Sequence, residues 1–374
     1  MTAGADVLVI GAGIVGAACA DELAARGLRV LVVEEGVVGG GATAAGMGHL
    51  VAMDDNPAEL ALTRYSLELW RRFVAEAPQR HEYSPCGTIW VAADDEEMAA
   101  ARAKRGMLTA AGIACEPLDA AALYACEPRL RPGLAGGLRV GGDAVVYPPK
   151  SARILLERAC ARGARLLAAR VRSIDAHGVA LEGGERIAAG MVVVANGVAA
   201  AALLPELPIR PKKGHVMITD RYPGFVRHQL VELGYVKSAH AASGESVAFN
   251  VQPRPTGQLL IGSSRQFDSA DRDVDVRLMQ RMLARAADYL PGLAQLNALR
   301  CWTGLRAASP DGLPLIGPHP ARRNVWLASG HEGLGITTAL ATAQLLASHI
   351  CGSAAPIPAE AYLPARFAQL DAHA

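Results

Sequence analysis

The chain lacks any imbalance of charge. Its 37 Lys and Arg stand against 36 Asp and Glu, giving a net charge of +1, with both signs mixed along 374 residues. Nothing in such a surface suggests a nucleic-acid or polyanion partner, and none is expected. Its seven cysteines (19, 86, 115, 126, 160, 301, 351) form no C-x-x-C. No metal and no redox pair is therefore expected, and isolated thiols suit a reducing, cytoplasmic location. No apolar run approaches the length that spans a bilayer, so no transmembrane segment is expected. The first residues, "MTAGADVLVIGAG", have neither a basic n-region nor a cleavage site and read as an opening strand rather than a signal peptide. There is no internal repeat, no low-complexity linker, and no Ser–His–acid constellation.

What is present is apolar and patterned. Half of the residues are hydrophobic and a fifth charged, and the length suits two domains. Residues 6–10, "DVLVI", are a continuous apolar run of the kind buried in a parallel sheet. "GAGIVG" follows, then a helix with apolar positions 14, 15, 18 and 23 on one face and Gly27 at its end. "RVLVVEE" at 29–35 is a second buried strand, completing a β–turn–α–β unit. Residues 151–168 read as an amphipathic helix and a strand, and 170–197 as a strand, a hairpin and a buried strand ending at Asn196-Gly197. "HVMITD", "ESVAFNVQP" and "QLLIGSS" are strand-like runs separated by Pro and Gly, with a helix expected over 273–289. The strand "NVWLAS" then precedes the turn "SGHEGLGIT" (329–337) and an Ala-rich final helix.

Gly11, Gly13 and Gly16 follow a strand and open a helix. The first permits a tight turn, the second a close approach of backbone to pyrophosphate, and the third close helix–strand packing. Glu34 ends the next strand, 18 residues after Gly16, and would accept hydrogen bonds from a ribose, with Glu35 as the alternative. This pattern serves NAD and FAD alike. The second glycine-rich loop, "GVVGGGATAAGMGHL" (36–50), directly after the acid-bearing strand, favours FAD. It would run under the pyrophosphate toward the reactive ring, with the Thr43 hydroxyl available to a phosphate. A disulfide reductase is disfavoured, because it would need a C-x4-C or C-x-x-C and a second G-x-G-x-x-G.

The order and spacing of "VLVIGAGIVG…VLVVEE", "GGGATAAGMG", "VVVANG", "LLIGSS", "WTGLRAASPDGLPLIG" and "SGHEGLGIT" resemble the FAD-dependent D-amino acid oxidase/dehydrogenase superfamily, which includes glycine oxidase and sarcosine oxidase. The resemblance covers nearly the whole length. It implies a discontinuous α/β, Rossmann-type FAD domain (1–85, 145–212 and 298–374) and an α+β substrate domain with a mixed or antiparallel sheet (86–144 and 213–297). It places the cofactor against Gly11, Gly13, Ile14, Val15 and Gly16, against Glu34 or Glu35, and against Gly41, Ala42, Thr43, Ala45, Gly46, Met47 and Gly48. Val171, Ala195, Asn196 and Gly197 belong to the same set. So does the C-terminal turn, Gly330, Gly333, Leu334, Gly335, Ile336 and Thr337, beside the pyrimidine end of the isoalloxazine. A helix N-terminus there would stabilise negative charge on the reduced ring.

The resemblance also implies substrate-facing residues. An arginine after Gly-Leu fixes the substrate carboxylate in this superfamily, here Arg306, for which a structural ion pair is the alternative. Ala307 stands where many relatives have proline. Asn250 falls where relatives often present a tyrosine, so substrate contact and packing are both open. His49 would lie near the flavin, either polarising substrate or flavin or satisfied by neighbours. His331 and Glu332 would line the substrate mouth or accept a proton. Gly304 occupies the position of the sarcosine oxidase flavin-linking cysteine, which implies non-covalent FAD. The implied chemistry is hydride transfer from a small amino acid, bound as the neutral amine, to flavin N5. Loop texture is most similar to the FAD subunit of D-hydroxyproline dehydrogenase, implying cis-4-hydroxy-D-proline or D-proline as substrate and electron-accepting partner subunits. An autonomous glycine or sarcosine oxidase producing hydrogen peroxide, and an assembly or electron-relay subunit with little turnover alone, are the alternatives.

Overall fold

The apolar run of residues 6–10 becomes the strand Ala5–Ile10, central in the first of two eight-stranded sheets of the computed structural model. The structure describes residues 4–53, 56–234, 244–267 and 269–367. Ala5–Ile10 pairs in parallel with Val30–Glu34 and Arg186–Val194. Arg165–Ala168 and Val325–Ser329 extend the parallel array on either side, and Leu315–Pro318 closes it antiparallel. Both faces are covered. Val7 and Val9 pack in one apolar cluster, Leu8 and Ile10 in another, which is why this strand is uniformly apolar instead of alternating.

Helix Ile14–Ala25 is buried around most of its circumference, more than the one apolar face expected. It lies between helices Pro148–Ala161 and Gly335–Cys351, so small residues (Gly16, Ala17, Ala18, Ala20) meet neighbours on several sides. Two helices unmarked in the sequence reading, Pro57–Ala75 and Asp95–Ala110, begin with Asn56 and Asp94 accepting from the amides of Glu59 and Glu97. The helix expected over 273–289 starts at Val276, because the Asp275 side chain caps it through Leu278 N.

The second sheet runs in the order 298–308, 210–221, 258–267, 245–253, 229–232, 88–92, 136–140, 116–119. It is antiparallel except where Gln229–Glu232 meets Thr88–Ala92. Strand Ala298–Ala308, grouped by sequence with the nucleotide-binding segments, pairs along its length with Arg210–Arg221 in this second sheet instead. Helix Val276–Tyr289 packs on this sheet with Phe249, Val251 and Ile261. Among the described residues, no helix is long and apolar enough to cross a membrane.

Candidate active site

The first glycine turn is held by steric necessity. Gly11 has φ +101°, and a Cβ there would lie 2.9 Å from the Ala195 carbonyl oxygen. A Cβ on Gly16 would lie 2.0 Å from the Gly11 oxygen. Only glycine lets this helix approach the strand so closely. The helix opens at Gly13, and the Thr43 hydroxyl accepts from Ile14 N at 3.0 Å. The amides of Val15 and Gly16 remain as first-turn donors facing outward from the helix end. Glu34 accepts from Ala12 N at 2.6 Å and Gly36 N at 2.8 Å, which holds its carboxylate against the turn. Glu35 points away and pairs with Arg170 on the surface. The Asn196 Oδ1 beside the turn is buried without a partner. Gly197 accepts from Ser329 Oγ through its carbonyl, and Val171 sits in the core with Leu31 and Val33.

The second loop, including the short helix Gly41–Ala45, is fixed through its carbonyls. Trp302 Nε1 donates to Ala45 O at 3.1 Å, Gln252 Nε2 to Met47 O, and the Thr337 hydroxyl to His49 O at 2.9 Å. The last of these joins the loop to the C-terminal turn. That turn carries Gly330 (φ +80°) and opens helix Gly335–Cys351, whose first carbonyls, Ile336 and Thr337, accept from the Trp70 indole. Its first amides, of Gly335, Ile336 and Thr337, have no helical partner.

Between the two sheets lies a cavity of about 900 Å³. Ala42, Ala45, Gly46, Met47, Gly48 and His49 line one side, and Glu332, Gly333, Leu334 and Ile336 another. The second sheet contributes Lys212, Gly214, His215, Asn250, Ser263, Arg265, Gly304 and Arg306.

Comparison with known proteins decides what such a frame belongs to. Residues 6–349 match the family described as DAO: FAD dependent oxidoreductase. The chain belongs to this family. It is 31% identical to a glycine oxidase of Pseudomonas aeruginosa over 96% of this chain and 98% of that protein. It is 27% identical to the hydrogen cyanide synthase subunit HcnC of the same organism, over 97% and 96%. The crystal structure of glycine oxidase from Geobacillus kaustophilus superposes with a TM-score of 0.87 at 28% identity, covering 98% of this chain and 99% of that one. This DAO-family chain is an FAD-dependent oxidoreductase acting on C–N amino groups of amines or amino acids.

The residues fit FAD on their own evidence. Two glycines pack too closely to accept a Cβ, an acid is held at the turn, and two helix N-termini carry unpaired amides. The cavity adds the electrostatics. Arg306 donates from Nη1 to Ser264 O at 3.2 Å, and its guanidinium fills the space over Gly214. Lys212 Nζ lies 2.9 Å from Glu332 and 4.8 Å from the Phe267 ring centroid. Burial lowers the Lys212 pKa, with Glu332 opposing. Burial also disfavours ionisation of Glu332, but Arg306, Lys212 and Arg265 outweigh it and hold the carboxyl down at about 2. The cluster of Arg306, Lys212 and Arg265 around Glu332 gives this end of the cavity cationic groups that suit a carboxylate.

A carboxylate held that low is a poor base, and in the structure Glu332 lines the cavity beside Lys212 and Arg306. Its φ of +48° is anchored by Glu332 N donating to Ala307 O at 2.8 Å. His331 is a correction: it does not line the cavity. Its ring turns into the final helix, 3.0 Å from Thr342 Oγ1, and burial lowers its pKa to about 4. The reason is local, since the ring follows its own strand-like bridge to Ala308 into the packed side of the turn. His49 and Asn250 do reach the cavity together. Burial lowers His49 to about 4 although the Asn250 side chain favours the protonated ring, so His49 is neutral at pH 7. Lys212, Arg265, His215 and Ser263 were missed in the sequence reading. The available signal was polar residues inside otherwise strand-like segments. His215 Nδ1 is 2.9 Å from Ser264 Oγ, its Nε2 accepts from Asp275 N at 3.0 Å, and burial lowers its pKa.

Proposed function

We propose that this enzyme oxidises a small D-amino acid or cyclic secondary amine, with cis-4-hydroxy-D-proline or D-proline the preferred substrate, to the imine. The observation that carries this reading is Arg306, which lines the cavity together with the second glycine-rich loop and the C-terminal turn. Arg306 grips the substrate carboxylate through its planar guanidinium, with Lys212 and Arg265 adding positive potential. FAD, held without a covalent bond, supplies the acceptor for the α-hydrogen as hydride. The non-covalent assignment rests on Gly304, where a Cβ would meet the Ala45 Cβ at 2.5 Å. Cys301 instead joins the apolar cluster of the second sheet, and burial raises its thiol pKa. The chain's own contribution is alignment: Arg306 orients the carboxylate, Met47 and Ile336 keep water from the site, and the helix amides of Gly335 to Thr337 stabilise negative charge.

Electrons then pass to a partner subunit or another acceptor. The word "subunit" in the name of the HcnC relative supports this. The glycine oxidase relatives support a second reading, an autonomous oxidase of glycine or sarcosine that makes hydrogen peroxide. An assembly or relay role with little turnover alone is the third. Anaerobic bleaching of the flavin by cis-4-hydroxy-D-proline, D-proline, sarcosine and glycine, followed by air, separates them. Bleaching by the prolines with slow reoxidation is expected. Bleaching by glycine or sarcosine alone, with fast reoxidation and peroxide, would replace this proposal by the oxidase. No bleaching by any of them, with FAD bound, would defeat the substrate assignment.

A further inference from the structure

Three buried polar atoms that line the cavity make no well-formed hydrogen bond, His49 Nε2, Asn250 Oδ1 and Ser263 Oγ, although the His49 ring and the Asn250 side chain are close enough to interact. They come from three separate segments, the second glycine-rich loop and the paired strands 245–253 and 258–267. Asn250 and Ser263 are each 6% exposed. A buried polar group left unpaired is costly, and three converging on one cavity point to a ligand group that completes them.

The chemistry of the trio selects that group. Asn250 Oδ1 only accepts, Ser263 Oγ donates and accepts, and a neutral imidazole nitrogen does one or the other. A carboxylate, which only accepts, would face the Asn250 oxygen unfavourably. An ammonium, which only donates, would leave any donor of the trio unpaired. An alcohol has one donor and two acceptor sites and can match all three. Ser263 is the neighbour of Ser264, whose carbonyl holds the Arg306 guanidinium, and all three residues line the same cavity as Arg306.

We infer that His49, Asn250 and Ser263 form a hydroxyl-recognition subsite, selecting an amino acid that bears an alcohol on its side chain over the analogue without it. This rests on the amino-acid oxidation proposed above and adds which substituent the site reads. Glycine would leave all three groups unpaired, and a cyclic hydroxy amino acid presents its hydroxyl in a fixed place relative to its carboxylate.

The test uses the FAD-loaded enzyme and its Asn250→Ala and Ser263→Ala variants. One readout is kcat/KM for anaerobic flavin reduction by cis-4-hydroxy-D-proline and by D-proline. The other needs no turnover: dissociation constants of tetrahydrofuran-2-carboxylate and its 4-hydroxy derivative, read from the shift of the flavin absorption band. Loss of hydroxyl pairing at a buried site is worth about ten-fold or more. The unaltered enzyme is expected to favour the hydroxylated member of each pair by at least that factor, and each variant to bring the ratio toward one. Equal handling of both members by the unaltered enzyme would overturn the inference. So would an unchanged ratio in both variants, or equal impairment of both members with an altered flavin spectrum, which would assign the trio to the cofactor. If no proline is oxidised, the amine assignment fails separately. The non-oxidisable pair still decides the subsite, since absence of hydroxyl-dependent binding refutes it.

Discussion

Gly214→Ala should disable the carboxylate anchor proposed at Arg306 while leaving the fold nearly intact. A Cβ at position 214 would lie 2.5 Å from Nη2 of Arg306 and 2.7 Å from both Cζ and Nη1. An ordinary contact is about 3.5 Å, so the guanidinium must retreat by roughly 1 Å and abandon the 3.2 Å bond to Ser264 O. The obstacle is the end of a flexible side chain and not backbone, and Gly214 lies in a strand with no left-handed φ. The stability cost should therefore stay within about 1 kcal/mol. The functional cost is larger, because a displacement of about 1 Å in a positioning group removes on the order of 10²-fold in rate. The assay is kcat/KM for an amino acid against the same amine lacking its carboxylate, with flavin content and thermal midpoint measured in parallel. A selective fall of roughly 10- to 100-fold for the amino acid is expected, by loss of a charge-assisted pair. An unchanged kcat/KM in a well-folded, flavin-bound variant would refute the role given to Arg306.

Gly16→Ala should yield a chain that neither retains nor takes up FAD, since its Cβ would meet the Gly11 carbonyl oxygen at 2.0 Å; normal flavin content would contradict the packing argument. Glu332→Gln removes an anion that faces Arg306, Lys212 and Arg265. Competing carboxylate inhibitors should bind several-fold tighter, and weaker binding would show that Glu332 works otherwise. Asp143 is buried with its pKa raised to about 7 by burial, against Thr88 and the Ala52 amide. Its folded pKa exceeds the unfolded value, so the folded state holds the extra proton and stability falls as pH rises from about 4 to about 7. Asp143→Asn should flatten that slope and raise the thermal midpoint at pH 8, by up to about 4 kcal/mol of stability. A slope unchanged in the variant would show that another group sets it.

How legible was the site? Gly11, Gly16 and Glu34 could be placed from sequence because a dinucleotide turn is local: strand, turn, helix and acid lie within one crossover unit, and their spacing carries the geometry. The final turn was legible for a similar reason, since a glycine cluster between a strand and an Ala-rich helix marks its own position. His331 was not, because adjacent residues in a turn can point to opposite sides, and only its packing against Thr342 sets the direction. Lys212 and Ser263 gave no motif, and their meaning depends on strands far apart in the chain meeting over one cavity.

The sequence by itself determined the parallel β–α–β unit with its glycine turn, the second glycine-rich loop that follows it, and the even balance of charge. Each of these follows from local periodicity, glycine spacing or composition. Only the tertiary structure decided that strand Ala298–Ala308 belongs to the second sheet, that Glu332 faces three cations, and that Glu35 turns outward while Glu34 meets the glycine turn. Pairing partners, facing charges and side-chain direction depend on contacts between distant segments, which no spacing along the chain encodes.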